Sequence, residues 1–340
     1  MAGIIAGIPL HSIARRGTFA GMSVEAFKGP LSSAPVIAII GAGAVGGYYG
    51  ARLAQGGQNV HFLMRGDYAA VLRDGLKIKS CAGDFSLPAA RLRVYRDALD
   101  MPKADWVIVT LKTTVNDQLE PLIRPLIHEG TAILTLQNGL GNEERLAALF
   151  PRHRILGGMA FTCINRIGPG LIEHTAHGRI RLGEFGGGAG PLASNIASLF
   201  NQCQIPCDVL DDLRTGRWEK LVWNVPFNGL STILDQSTEQ ILSTPRGEEL
   251  VRRIMAEVID SARACGAHLD DSLIDLNITR TREMAAYRTS MQIDRQLCRE
   301  LEVEAILGAP TRAGAARGVA NPTMAFTYTL ASLCGLNSRG

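Results

Sequence analysis

The chain has 340 residues, 46% hydrophobic and 20% charged, enough for two ordinary cores and the composition of folded rather than disordered protein. Thirty-five Lys and Arg against 32 Asp and Glu leave a formal charge of +3, too little to argue for a nucleic-acid partner, and no basic block with interleaved aromatics occurs. Seven cysteines without regular spacing argue against a disulfide framework and fit a reducing cytoplasm.

No run approaches a charge-free transmembrane length, so no membrane is expected. Cys203 and Cys207 lie closest together but lack a second ligand pair of zinc-type spacing; they read as small packing residues, and no metal is expected.

Residues 1–34 carry His11, Arg15, Arg16 and Lys28 against the single acid Glu25, with abundant Gly, Ser and Ala. The composition fits a transit peptide, and equally an over-extended start with Met22 as the alternative initiator; either way the segment is expected to be disordered and non-catalytic.

Val36 to Ile40 then forms an apolar strand running into Gly41-Ala42-Gly43-Ala44-Val45-Gly46. The strand, glycine turn and helix start predict a dinucleotide site: Gly41 for the turn, Gly43 for backbone approach to a pyrophosphate, Gly46 for helix packing. A helical stretch to Gln55 leads to a second strand, Asn59 to Met64, followed by Arg65. An NAD enzyme usually places a carboxylate near this strand end, whereas a guanidinium suits a 2′-phosphate, so NADP is expected. Asp67 keeps an NAD reading open.

Further buried strands are predicted at Asp105 to Leu111, ending at Lys112, and at Thr131 to Leu136, ending at Gln137-Asn138-Gly139. Strand ends of this kind border the ligand crevice of open α/β sheets, which makes Lys112 and Asn138 contact candidates. From pattern alone Lys112 reads equally as a surface lysine and Asn138 as a turn residue. Short, partly antiparallel strands are expected at 155–164, 171–174 and 179–182, closing the sheet edge, then a helix near Leu192 to Gln202. Beyond about Asp208 helical periodicity dominates, over 216–230, 246–265, 270–292 and 300–332.

Within the first of these helices Lys220, Asn224 and Asn228 recur every four residues among large apolar side chains. They span roughly 80° of the helix surface, a polar stripe on an apolar rod. A buried ammonium and two carboxamides need partners, so the stripe is expected to face a ligand cleft. Pro226 removes a helical hydrogen bond and predicts a bend or break.

The expected architecture is α/β: a Rossmann-type domain over 35–207, an all-helical domain over 208–332 and a tail over 333–340. In order, Gly41-x-Gly43-x-x-Gly46, Arg65, Leu111-Lys112, Asn138-Gly139-x-Gly141, Lys220-x-x-x-Asn224-x-x-x-Asn228, Ser290-Met291, and Glu302-x-Glu304 before Gly308 resemble the ketopantoate reductase (2-dehydropantoate 2-reductase) family from Val36 to about Tyr328.

The resemblance implies a cytoplasmic, NADPH-dependent oxidoreductase of pantothenate biosynthesis that reduces a 2-keto acid in the cleft between its domains. It implies Lys220 as general acid, and Glu302 as a carboxylate holding Lys220 or a substrate hydroxyl. Asn224, Asn228 and Ser290 are implied to bind substrate, while Lys112 and Asn138 meet the nicotinamide end and the substrate. Without the resemblance, Ser290 and Glu302 read as polar positions near a helix end. A homodimer, another 2-keto acid as substrate, and a non-catalytic NADP-binding sensor are left open.

Overall fold

Strand β1 (Val36–Ile40) sends alternate side chains to opposite faces of a sheet. Ile37 and Ile39 join Tyr49, Leu53 and Phe62 in one core; Ala38 and Ile40 join Val107, Val109 and Leu119 in another. Both faces are therefore buried, as in a doubly wound sheet. This computed structural model describes residues 35–336 apart from 152, 188 and 285. The extension expected at 1–34 and the end of the tail, 337–340, lie outside the described residues.

The other strands are β2 (Asn59–Leu63), β3 (Leu76–Ser80), β4 (Phe85–Leu87), β5 (Arg93–Tyr95), β6 (Trp106–Val109), β7 (Ala132–Thr135), β8 (Arg154–Gly168), β9 (Leu171–Glu184) and β10 (Cys207–Val209). They lie in the order β4-β3-β9-β8-β7-β6-β1-β2-β5, with β10 beside β9. From β5 through β8 the pairings are parallel, and β1 sits between β2 and β6, where the winding reverses. A ligand crevice is expected outside the carboxyl ends of these strands.

The short strands expected at the sheet edge are parts of one antiparallel hairpin, β8 and β9, of 15 and 14 residues around the 168–170 turn. Three register irregularities interrupt its alternation, which is why the sequence pattern breaks into pieces. Strands β3 to β5 were not anticipated, although Leu76-Lys77-Ile78-Lys79 alternates buried and exposed. Strand β10 likewise falls where helix alone was expected.

The helical portion is built on Leu213–Leu234, started by Asp212, whose carboxylate accepts from the Arg214 N–H. Of the bend or break expected at Pro226, the helix shows no break and runs continuously through it. Packing against Pro245–Ala264 and Pro322–Leu336 buries most of its surface and offsets the lost hydrogen bond. The helix expected over 270–292 is two, Ser272–Glu283 and Ser290–Gln296. That over 300–332 divides into a π-helical turn Glu304–Gly308, Ala309–Ala315 and Pro322–Leu336, punctuated by Gly318 at φ 80° and by Pro322. The last helix extends four residues past 332. Sheet and helical portions form one compact unit from Pro35 onward.

Candidate active site

At the end of β1 the chain turns at Gly41, whose φ of 98° suits glycine and whose added Cβ would lie 2.6 Å from the Leu111 nitrogen. At Gly43 an added Cβ would meet no protein atom within 4 Å. The protein's own packing therefore does not require glycine there, although its ψ of −143° lies outside the regions other residues favour. Gly46 differs: its added Cβ would fall 2.2 Å from Thr110 Oγ1, so it serves close packing beneath the turn. Helix Ala44–Gln55 begins here with no side-chain cap and no acid in its first turn, which leaves its N-terminus open to an anion.

Arg65, just beyond β2, is exposed, borders the cleft and has no hydrogen-bond or ion-pair partner among the described residues. Asp67 is engaged: it accepts from Arg166 Nη1 at 2.6 Å and from the Gly170 N–H at 3.1 Å.

Across the cleft Lys220 Nζ donates to Asn138 Oδ1 at 2.8 Å and to the Ala160 carbonyl at 2.9 Å, and lies 5.5 Å from the centre of the Phe161 ring. Gly139, at φ 88°, brings the Asn138 turn so close to the helical portion that a Cβ would lie 2.2 Å from the Ala305 carbonyl oxygen. The Leu140 N–H donates to that carbonyl at 3.0 Å. Burial first, and Arg217 with it, pull the Lys220 ammonium down to about 7 against the opposing effect of Glu302. Arg217 is itself buried, with Nε donating to Glu143 at 2.8 Å and Nη1 to the Gln137 carbonyl at 2.9 Å.

Asn224 and Asn228 follow Lys220 along the helix and are 6% and 3% exposed. Asn228 is used within the fold: Nδ2 donates to the Asn224 carbonyl and Oδ1 accepts from the Met291 N–H. The Asn224 carboxamide has no protein partner among the described residues and opens on the cleft. Ser290, the first residue of helix Ser290–Gln296, also borders it.

Of the two roles expected of Glu302, holding Lys220 or a substrate hydroxyl, the first is not made as a direct contact. Its Oε1 accepts from the Thr113 N–H at 2.9 Å and the Thr113 hydroxyl at 3.0 Å, and its Oε2 from Lys112 Nζ at 3.1 Å. Both oxygens are thus occupied by the segment that follows β6, and Glu302 reaches Lys220 only through its field. Lys112 also donates to Asp294 at 2.8 Å. Enclosure works against the Lys112 charge, but Glu302 and Asp294 outweigh it and hold the ammonium above its ordinary range.

One cleft of about 1770 Å³ is lined by Gly41, Ala42, Gly43, Ala44, Val45, Arg65, Lys112, Asn138, Lys220, Asn224, Asn228 and Ser290. Gly46 and Glu302 stand behind its wall rather than in it. Asp294 escaped the sequence reading, although its place four residues after Ser290 puts both on one helix face. Thr113, the Ala160 carbonyl and the Arg217–Glu143 pair gave no comparable signal, because backbone acceptors and tertiary ion pairs have no periodicity. Trp223 and Tyr287 add an aromatic wall, ring centres 6.0 Å apart, beside Cys163. All seven cysteines are free, and no cluster of metal-binding side chains occurs among the described residues.

The family model for "Ketopantoate reductase PanE/ApbA" matches residues 37–187, and that for its C-terminal part matches 212–334. A 2-dehydropantoate 2-reductase of Nostoc sp. is 42% identical over 309 residues, covering 89% of this chain and 96% of its own. The crystal structure of 2-dehydropantoate 2-reductase from Geobacter metallireducens is 47% identical with a TM-score of 0.85, covering 87% of this chain and 99% of that one. That from Methylococcus capsulatus is 35% identical with a TM-score of 0.81, covering 89% and 98%.

Proposed function

We propose that this chain, which belongs to the ketopantoate reductase PanE/ApbA family, reduces 2-dehydropantoate to pantoate with NADPH, Lys220 supplying the proton. The observation that carries this reading is the Lys220 ammonium, brought near neutrality and fixed by Asn138 in the same cleft as an open glycine turn.

The residues present fit a dinucleotide. Gly43 leaves room for a pyrophosphate at an uncapped helix start, and Arg65 offers a free guanidinium for a 2′-phosphate. When bound, the reduced nicotinamide supplies the hydride. As the keto carbon is reduced, negative charge develops on its oxygen, and Lys220 is placed to stabilise and then protonate it.

An ammonium has three N–H bonds, and Asn138 Oδ1 and the Ala160 carbonyl take two of them. The third is the transferable proton. After transfer the neutral amine keeps both hydrogen bonds, so neither protonation state leaves the site unsatisfied. Asn224 and Ser290 then offer donors to the substrate carboxylate and hydroxyl. Glu302 and Asp294 hold Lys112 in the same cleft.

A second reading, reduction of another small 2-keto acid, draws on the wall of Trp223 and Tyr287, which would accept a bulkier side chain. NADPH fluorescence followed over a panel of 2-keto acids tests both. Fastest consumption with ketopantoate supports the first reading, preference for an aromatic acid the second, and NADPH binding without turnover rejects both.

A further inference from the structure

Asp67 occupies the N-cap position of helix Tyr68–Asp74, yet its side chain caps nothing there. It turns to the tip of the β8–β9 hairpin, where Arg166 and the Gly170 N–H hold it, and its side chain is only 12% exposed against 37% for Arg166. Arg65, Asp67 and Arg166 all border the same end of the cleft. The partner of Asp67 thus comes from a part of the sheet about a hundred positions away.

We propose that Arg166 determines preference for the phosphorylated dinucleotide by engaging Asp67, as a positioning residue acting through that carboxylate. This rests on the NADPH reading above. Asp67 is the carboxylate that could serve a ribose hydroxyl in an NAD-type site. Held by Arg166 and Gly170, it is withdrawn from that role. Its negative charge, which would otherwise repel a 2′-phosphate near Arg65, is also neutralised.

The test measures calorimetric affinity of the whole chain for adenosine 2′,5′-bisphosphate and for 5′-AMP, at one fixed salt concentration. Arg166→Gln should weaken the bisphosphate about tenfold, the scale of one uncompensated like charge, here that of the released Asp67, near a surface, and leave 5′-AMP within about twofold. In an Asp67→Asn background the same substitution should change little, because no carboxylate remains to restrain.

Equal weakening of both ligands would overturn the proposal, since Arg166 would then merely support the hairpin. A loss that persists in Asp67→Asn would also overturn it, by showing direct contact with the phosphate. A thermal melt checks folding, and Asp67→Asn alone, which removes the repulsion without touching Arg166, should bind the bisphosphate at least as well as the unaltered protein. Equal affinity of the unaltered protein for the two ligands would instead reject the NADPH reading itself, whatever Arg166 does.

Discussion

Lys220 and Asn138 meet at 2.8 Å although 82 positions separate them. One belongs to the long helix of the helical portion, the other to the turn that leaves β7. The contact joins the two halves of the chain at the point where the proposed reaction takes place. Because it is made by the amine in either charge state, it orients the proton without consuming it.

Replacing Lys220 by Ala should reduce turnover by roughly 10² to 10⁴, the usual contribution of a positioned general acid. NADPH affinity, set across the cleft at the glycine turn, should stay nearly unchanged. Asn138→Ala should lower turnover less, since the Ala160 carbonyl still holds the amine. Single-turnover reduction with ketopantoate separates these effects, and near-native turnover in Lys220→Ala would move the acid elsewhere.

The pH dependence follows from the same group. Lys220 titrates at about 7 in the folded chain, below the ordinary value for lysine. Reduction needs the ammonium, so kcat/KM for reduction should be level below that pH and fall tenfold per unit above it; oxidation of the hydroxy acid needs the free amine and should rise with pH over the same range. Glu302→Gln removes the charge that favours the ammonium, and should shift the break to lower pH. An unchanged break would mean that Glu302 does not act on Lys220.

What could be read beforehand was local. The glycine turn announces itself because three glycines at fixed spacing follow an apolar strand, and the Lys220 stripe because helical period is visible against hydrophobic neighbours. What Glu302 touches was not legible. Its partners Lys112 and Thr113 lie about 190 positions away, and the sequence carries no mark of which cation a carboxylate will meet. Pro226 shows a related limit: its local cost is certain, but the packing that keeps the helix unbroken comes from other helices, Pro245–Ala264 and Pro322–Leu336. The hairpin was read in fragments because its bulges reset the alternation on which strand recognition depends.

The Arg217–Glu143 pair should be costly to break from either side. Both side chains are 5% exposed, so Glu143→Ala leaves a buried guanidinium bonded only to the Gln137 carbonyl. The expected loss is about 3–5 kcal/mol in urea unfolding. Exchanging both together, Arg217→Met with Glu143→Leu, should cost far less than Glu143→Ala. A loss in Glu143→Ala no larger than that of an exposed pair, such as Arg124 with Glu120, would show that the buried pair contributes little to the fold.

The glycine turn allows binding to be separated from folding. At Gly43 an added methyl meets no protein atom within 4 Å, although the residue's φ of −78° comes with a ψ of −143° that lies outside the regions alanine favours. Gly43→Ala should therefore fold with at most a modest loss of stability, arising from its backbone conformation rather than from packing. The same methyl would occupy the space left for the pyrophosphate, and NADPH should bind at least tenfold more weakly. Gly46→Ala should behave in the opposite way. Its methyl would be forced against Thr110 Oγ1 and, at 2.6 Å, the Gly41 carbonyl oxygen, so the first consequence is loss of stability. Thermal melts and NADPH titrations of the two variants decide the matter. If Gly43→Ala binds NADPH normally, the dinucleotide does not approach the backbone at this turn, and the cofactor site must be sought elsewhere along the cleft.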